Sequence, residues 1–267
     1  MKPTPIFSKI ETGSKCYDDV KATYTGISIK TFISLALTML VAIVVATFMI
    51  LSINKAITEN PEDTEIAMKW LTTSSVLAIV SVIIAFISAL VGRLSDKAAK
   101  VCIFIYSISE GFVLGFITGI VEAVYPNQYI GALAVFGTLV IFTVMLLLFV
   151  TGVLRVGSFL RRFLAAVLIT AVALGLFTIL FILFSGLLST YSTNIIWLIL
   201  LIETLYLVYA CFSLIYSFNE AQAVVESGCR KESEWSVALG LLITLAYIYL
   251  QLLRIIVLLL QIFGKRN

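Results

Sequence analysis

Seven apolar runs set the terms for what this chain can fold into. They lie near residues 29–52, 70–92, 99–124, 130–154, 163–188, 194–218 and 236–263. Each reaches the roughly 20 residues that an α-helix needs to cross a bilayer. The chain is 61% hydrophobic and 12% charged, with a mean hydropathy of +1.12, which leaves too little polar surface to cover a water-soluble domain of 267 residues. The expected fold is all-α: a polytopic membrane bundle of seven transmembrane helices over 29–263. A polar tail (1–28) precedes it and a short end (264–267) follows. The longest polar insertions, 53–69 and 219–235, are too short for a further domain.

Lysine and arginine placement predicts the orientation. With the N-terminus inside, the tail through Lys30, 93–100, 155–162 and 219–235 hold thirteen cations, against four in the outer pieces. The expectation is therefore a cytoplasmic N-terminus and an outer C-terminus. The first 28 residues carry four lysines but no apolar core, so they do not read as a signal peptide. The spread of cations among short loops does not suggest nucleic acid as a partner. The lipid bilayer is the partner implied.

Several chemistries are excluded. There is no histidine, which removes His-dependent catalysis and the common zinc sites. The four cysteines lack CxxC spacing and read as free thiols, with Cys102 and Cys211 as packing residues. All four aspartates fall outside the apolar runs, which argues against a membrane aspartyl protease, and no phosphate-binding loop is present. No cofactor and no enzyme activity are expected.

Within the runs, the informative residues are polar ones spaced along helix faces. Positions three and four apart share a face. On the seventh run this spacing gathers Thr244, Tyr247, Gln251, Arg254, Leu258 and Gln261. On the sixth it gathers Glu203, Tyr206, Ala210, Ser213, Ser217 and Glu220. An arginine deep in a span costs about 3 kcal/mol on insertion scales, so Arg254 needs an acceptor inside the protein. Glu203 and Glu110 are the candidates, and Glu110, Glu203 and Arg254 form the expected charge network. The third run carries Ser107, Gly111, Gly115 and Gly119 at every fourth position, a small-residue stripe that lets a neighbouring helix approach closely. The fourth and fifth runs are mostly aliphatic and read as lipid-facing.

Several separated motifs resemble one family. Glu110-Gly111-Phe112-Val113-Leu114-Gly115 followed by Val124-Tyr125-Pro126, the stretch Val150–Val156, Glu234-Trp235, Gly240–Leu245 and Tyr249–Arg254 together are similar to a bacterial branch of the Bax inhibitor family. The resemblance implies seven helices around a central seventh. It also implies a pH-sensitive calcium leak, with calcium as the transported ion, governed by an acid late in the sixth helix and an acid in the seventh. Two carboxylates sharing a site split their titration, so one proton binds near neutral pH.

This chain departs from that pattern. The two acids align with Ser217 and Gln251, neither of which titrates in this range. A second acidic position of the branch aligns with Asn219. Asn219 and Glu220 are the nearest positions that could substitute, Glu220 lying one turn after Ser217. Ser217 and Gln251 meet only if the sixth helix runs past residue 220 or the seventh begins with turns below the membrane. Three functions stay open at this point: a cation leak with an altered di-acid switch, a non-conducting membrane scaffold that binds another membrane protein, and a proton-coupled transporter of a small solute.

Overall fold

The computed structural model describes residues 21–59, 64–126, 128–150 and 193–263. Within them are six long helices: α1 (Tyr24–Glu59), α2 (Thr64–Leu94), α3 (Asp96–Val124), α4 (Ile130–Val150), α5 (Thr193–Glu226) and α6 (Ser233–Phe263). All six are long and apolar enough to cross a membrane. They correspond to the first four, sixth and seventh apolar runs. The fifth run, 163–188, lies outside the described residues.

α1 and α5 outrun their apolar runs. α1 starts at Tyr24, inside the stretch expected as tail, because the Thr23 hydroxyl accepts the Gly26 N–H at 3.0 Å and caps the first turn. α5 continues through Glu226, eight residues past its apolar run. It stops at Gly228, whose φ of +66° suits a residue without a side chain. There the Cys229 N–H bonds the Val224 carbonyl and the Gly228 N–H bonds the Val225 carbonyl, the double bond pattern of a left-handed helix terminus. Between α2 and α3 only Ser95 intervenes, in extended conformation.

α6 is the axis of the bundle and packs against every other described helix. Its buried residues run from Glu234 to Leu253. It presents two different faces. Val237, Leu241, Leu245 and Ile248 pack with Ala210, Leu214, Ile215 and Phe218 of α5. Ala238, Leu239 and Leu242 pack with Ile103 and Tyr106 of α3 and Ala85 of α2. α3 and α5 therefore both lie on α6 but scarcely on each other. The outer faces of α1, α2 and α4 are exposed leucine, isoleucine, valine and phenylalanine, as a lipid-facing surface requires.

α1 and α3 make the closest approach. A Cβ at Gly111 would stand 2.7 Å from the Thr38 carbonyl oxygen, one at Gly115 2.5 Å from that of Ala42, and one at Gly119 2.8 Å from Met49 Cβ. Lipid supplies no hydrophobic drive for helix association, so close packing of this kind carries more of the stability.

Candidate functional site

The seam between α5 and α6 carries the buried polar residues Ser217, Glu220 and Gln251. The two helices run antiparallel and meet at three levels. At one level the Gln251 side-chain amide donates to the Glu203 main-chain carbonyl at 3.1 Å and also to the Glu203 carboxylate. Arg254 Nη1 lies 3.8 Å from the same carboxylate. At the middle level Tyr209 and Tyr247 meet edge to face, with ring centroids 6.3 Å apart. The third level is at Glu220.

Glu220 is only 3% exposed and is held by a residue from a third helix. Arg93, next to last in α2, donates from Nη1 to Glu220 Oε1 at 3.0 Å and from Nη2 to Oε2 at 2.8 Å. Such a fork-to-fork bond is among the stronger polar contacts a protein makes. Nη1 also donates to the Ser236 carbonyl of α6 at 3.2 Å. One guanidinium thus ties α2, α5 and α6 together. Its seat depends on two glycines. A Cβ at Gly240 would lie 2.7 Å from Arg93 Nη1, and one at Gly92 would lie 2.5 Å from Leu239 Cδ2.

A second buried carboxylate sits two residues before Ser236. Glu234 has no exposed surface. It accepts the Thr23 N–H at 2.8 Å, the Thr23 hydroxyl at 3.3 Å and the Lys30 ammonium at 2.5 Å, all from the start of α1. Lys30 also lies 4.7 Å over the Trp235 ring.

On α3, Glu110 sits one turn after Tyr106, which packs against Ala238, Leu239 and Leu242 of α6. At the far end of α3, Glu122 accepts the Gly131 N–H at 2.9 Å, and Thr118 and Tyr249 share a hydrogen bond of 2.7 Å.

The residues singled out by sequence are therefore distributed, not assembled in one lumen. Arg254 is paired with Glu203 and not with Glu110, which lies across α6. Arg254 does not face the interior: its side chain is 59% exposed. Gln251, one turn earlier, is fully buried, and the rotation between them carries Arg254 to the rim of the seam, from which its long stem reaches back.

Ser217 and Gln251 do not meet. α5 does run past 220 and α6 does begin before its apolar run. Even so, Gln251 is opposite Glu203, and Ser217 lies roughly 21 Å further along α5 at 1.5 Å per residue. The Ser217 hydroxyl bonds back to the Ser213 carbonyl. Asn219 is half-buried beside Glu220. Arg93, Lys30, Glu234 and Gly240 are the site residues that spacing along single helices did not find. Among the described residues, no three acidic or cysteine side chains converge as a metal site would need.

Comparison with protein-family models places residues 4–261 in the family described as Bax inhibitor 1 like. The chain belongs to the Bax inhibitor 1 like family. No curated protein and no solved structure matches it. Within this Bax inhibitor 1 like chain, the motif residues Glu234-Trp235 and Gly240 now have physical roles. Glu234 and Trp235 hold Lys30, and Gly240 makes room for Arg93.

Proposed function

We propose that this Bax inhibitor 1 like protein is a cation leak, with calcium as the candidate ion, running along the α5–α6 seam. Arg93 keeps it closed. The observation that carries this reading is the fork-to-fork bond from Arg93 to buried Glu220, with a third bond to Ser236. The guanidinium supplies positive charge at a place where three helices converge, which both links them and repels cations. Losing it would free the Glu220 carboxylate to attract a cation. Glu203 supplies the second carboxylate, roughly 25 Å along α5, close to the thickness of a hydrocarbon core. Glu110 stands outside this route.

The cation-rich end formed by Lys21, Lys30, Arg93, Arg230 and Lys231 supports an inner location for the Arg93 closure. α1 and α6 start at this end, so the reading has the N-terminus inside and the C-terminus outside.

The test is calcium entry into dye-loaded proteoliposomes over pH 5 to 8. Arg93→Gln removes the closing charge and frees the Glu220 carboxylate, and is expected to raise flux several-fold, while Glu203→Gln lowers it. Flux unchanged in both variants sinks the proposal. A second reading, a non-conducting scaffold, draws on the neutral residues at both di-acid positions, Ser217 and Gln251. It predicts no flux at any pH and a stably co-purifying membrane protein.

A further inference from the structure

The first turn of α6 is tied down twice, by groups of different origin. Arg93 of α2 reaches the Ser236 carbonyl. The other tie comes from residues just before and inside α1. The Ala22 N–H donates to the Cys229 carbonyl at 2.8 Å, and Lys21 forms an antiparallel bridge with Arg230. Lys21–Thr23 thus lies along the α5–α6 turn as a short strap. The strap ends in Thr23, whose N–H and hydroxyl both go to Glu234. Lys30, two turns on, completes the shell of Glu234 and adds a bond to the Lys231 carbonyl at 3.3 Å.

A carboxylate in the first turn of a helix ordinarily serves that helix, by capping it or by facing its dipole. Glu234 instead serves α1. It accepts the main-chain N–H of α1's cap residue, and a Cβ at Gly26 would overlap its carboxylate. Glycine at 26 keeps that seat open. Glu234 and the Ser236 carbonyl are two residues apart on one rigid turn. Any shift of Glu234 therefore moves the oxygen that Arg93 bonds. A buried carboxylate stripped of its partners is strongly unfavourable, so the strap cannot leave while Glu234 stays in place.

We propose that the strap Lys21–Thr23 and Lys30 form a second latch on α6. Through Glu234 it sets whether Ser236 is offered to Arg93, so the chain segment entering α1 controls the closure at Glu220. This coupling goes beyond the leak reading and does not require that the protein conduct.

The test is amide hydrogen exchange of the full-length protein in micelles, with the four native cysteines replaced. Two amide sets are followed: residues 236–241 of α6 and 91–94 of α2. Lys30→Gln is expected to speed exchange about ten-fold in both sets. Bridge partners in an antiparallel pair stand close enough for a disulfide. Lys21→Cys with Arg230→Cys, oxidised, therefore fastens the strap. Added to Lys30→Gln it is expected to return both sets to within about three-fold of the parent.

Faster exchange in α6 alone, with α2 unchanged, overturns the coupling and leaves a local staple. No change in either set, or no recovery on oxidation, overturns the latch itself. If Lys30→Gln fails to fold, the oxidised and reduced forms of the cysteine pair alone decide: equal exchange in both sets overturns the proposal. None of these outcomes depends on flux, so the leak reading stands or falls separately.

Discussion

Substituting alanine for Gly240 tests the seat of Arg93 without touching a charge. The new methyl would stand 2.7 Å from Arg93 Nη1 and 3.2 Å from its Cζ. Ordinary van der Waals contact needs about 3.5 Å, so the guanidinium must retreat by roughly 1 Å. Its bond to the Ser236 carbonyl, already 3.2 Å, does not survive that movement. A hydrogen bond from a charged donor contributes about 1.5–3 kcal/mol. Against this, alanine is favoured over glycine inside a helix by about 1 kcal/mol. The net expectation is a loss of about 0.5–2 kcal/mol, rising toward 3–5 kcal/mol if the retreat also parts Arg93 from Glu220. In an Arg93→Ala background the clash is absent and the same substitution should stabilise by about 1 kcal/mol. The assay is unfolding in mixed detergent micelles, followed by circular dichroism, as a double-mutant cycle. A stabilising effect in the otherwise unchanged protein, or the same effect in both backgrounds, would refute the placement of Arg93 against Gly240.

Other positions give simpler outcomes. Gly115→Ala should destabilise by about 1–3 kcal/mol, because the Ala42 carbonyl it meets is backbone and cannot swing aside. Gly119→Ala should lose less, since its closest backbone oxygen, that of Ala46, is at 3.2 Å; the reverse order in the same unfolding assay would contradict the α1–α3 contact. Gly228→Ala places a side chain at φ +66° and should cost about 1–2 kcal/mol, measured the same way.

What the sequence revealed follows the range of the physics involved. Hydropathy is local, so six of the seven expected spans reappear as α1–α6. Their ends were misjudged where capping is decided by one polar contact, as at Thr23 and Gly228. The stripe of Gly111, Gly115 and Gly119 was visible because its spacing is itself a helix geometry, and α1 packs directly on it. The Arg93–Glu220 pair joins residues 127 apart in sequence, and no periodicity connects α2 with α5. It could have been suspected only from an arginine and a glutamate both closing apolar runs. Glu203 and Arg254 do meet, but the stripe that carries Arg254 spans a wide arc, and its edge is at the surface. Face assignment from spacing alone cannot tell the middle of a seam from its rim.

The two bonds that Gln251 makes to Glu203 supply the remaining prediction. The Gln251 amide gives hydrogens both to the Glu203 main-chain carbonyl and to the Glu203 carboxylate. Only a donor fits there: an ionised carboxylate at 251 would face another carboxylate and a carbonyl oxygen with no hydrogen to offer. Arg254, at 3.8 Å and largely exposed, is a poor counter-charge for two acids. In Gln251→Glu the pair must therefore share a proton, which makes the site a titrating dyad where the parent has a fixed amide–carboxylate bond. Flux through the variant should change with pH over 5 to 8 more steeply than flux through the parent. Adding Glu203→Gln reverses the roles of donor and acceptor and should flatten the response again. If the double variant keeps the steep profile, the new acid is titrating alone and the Glu203 contact is not what holds residue 251. If neither variant differs from the parent, the α5–α6 seam at this level does not control the pathway, and closure rests on Arg93 and Glu220 alone.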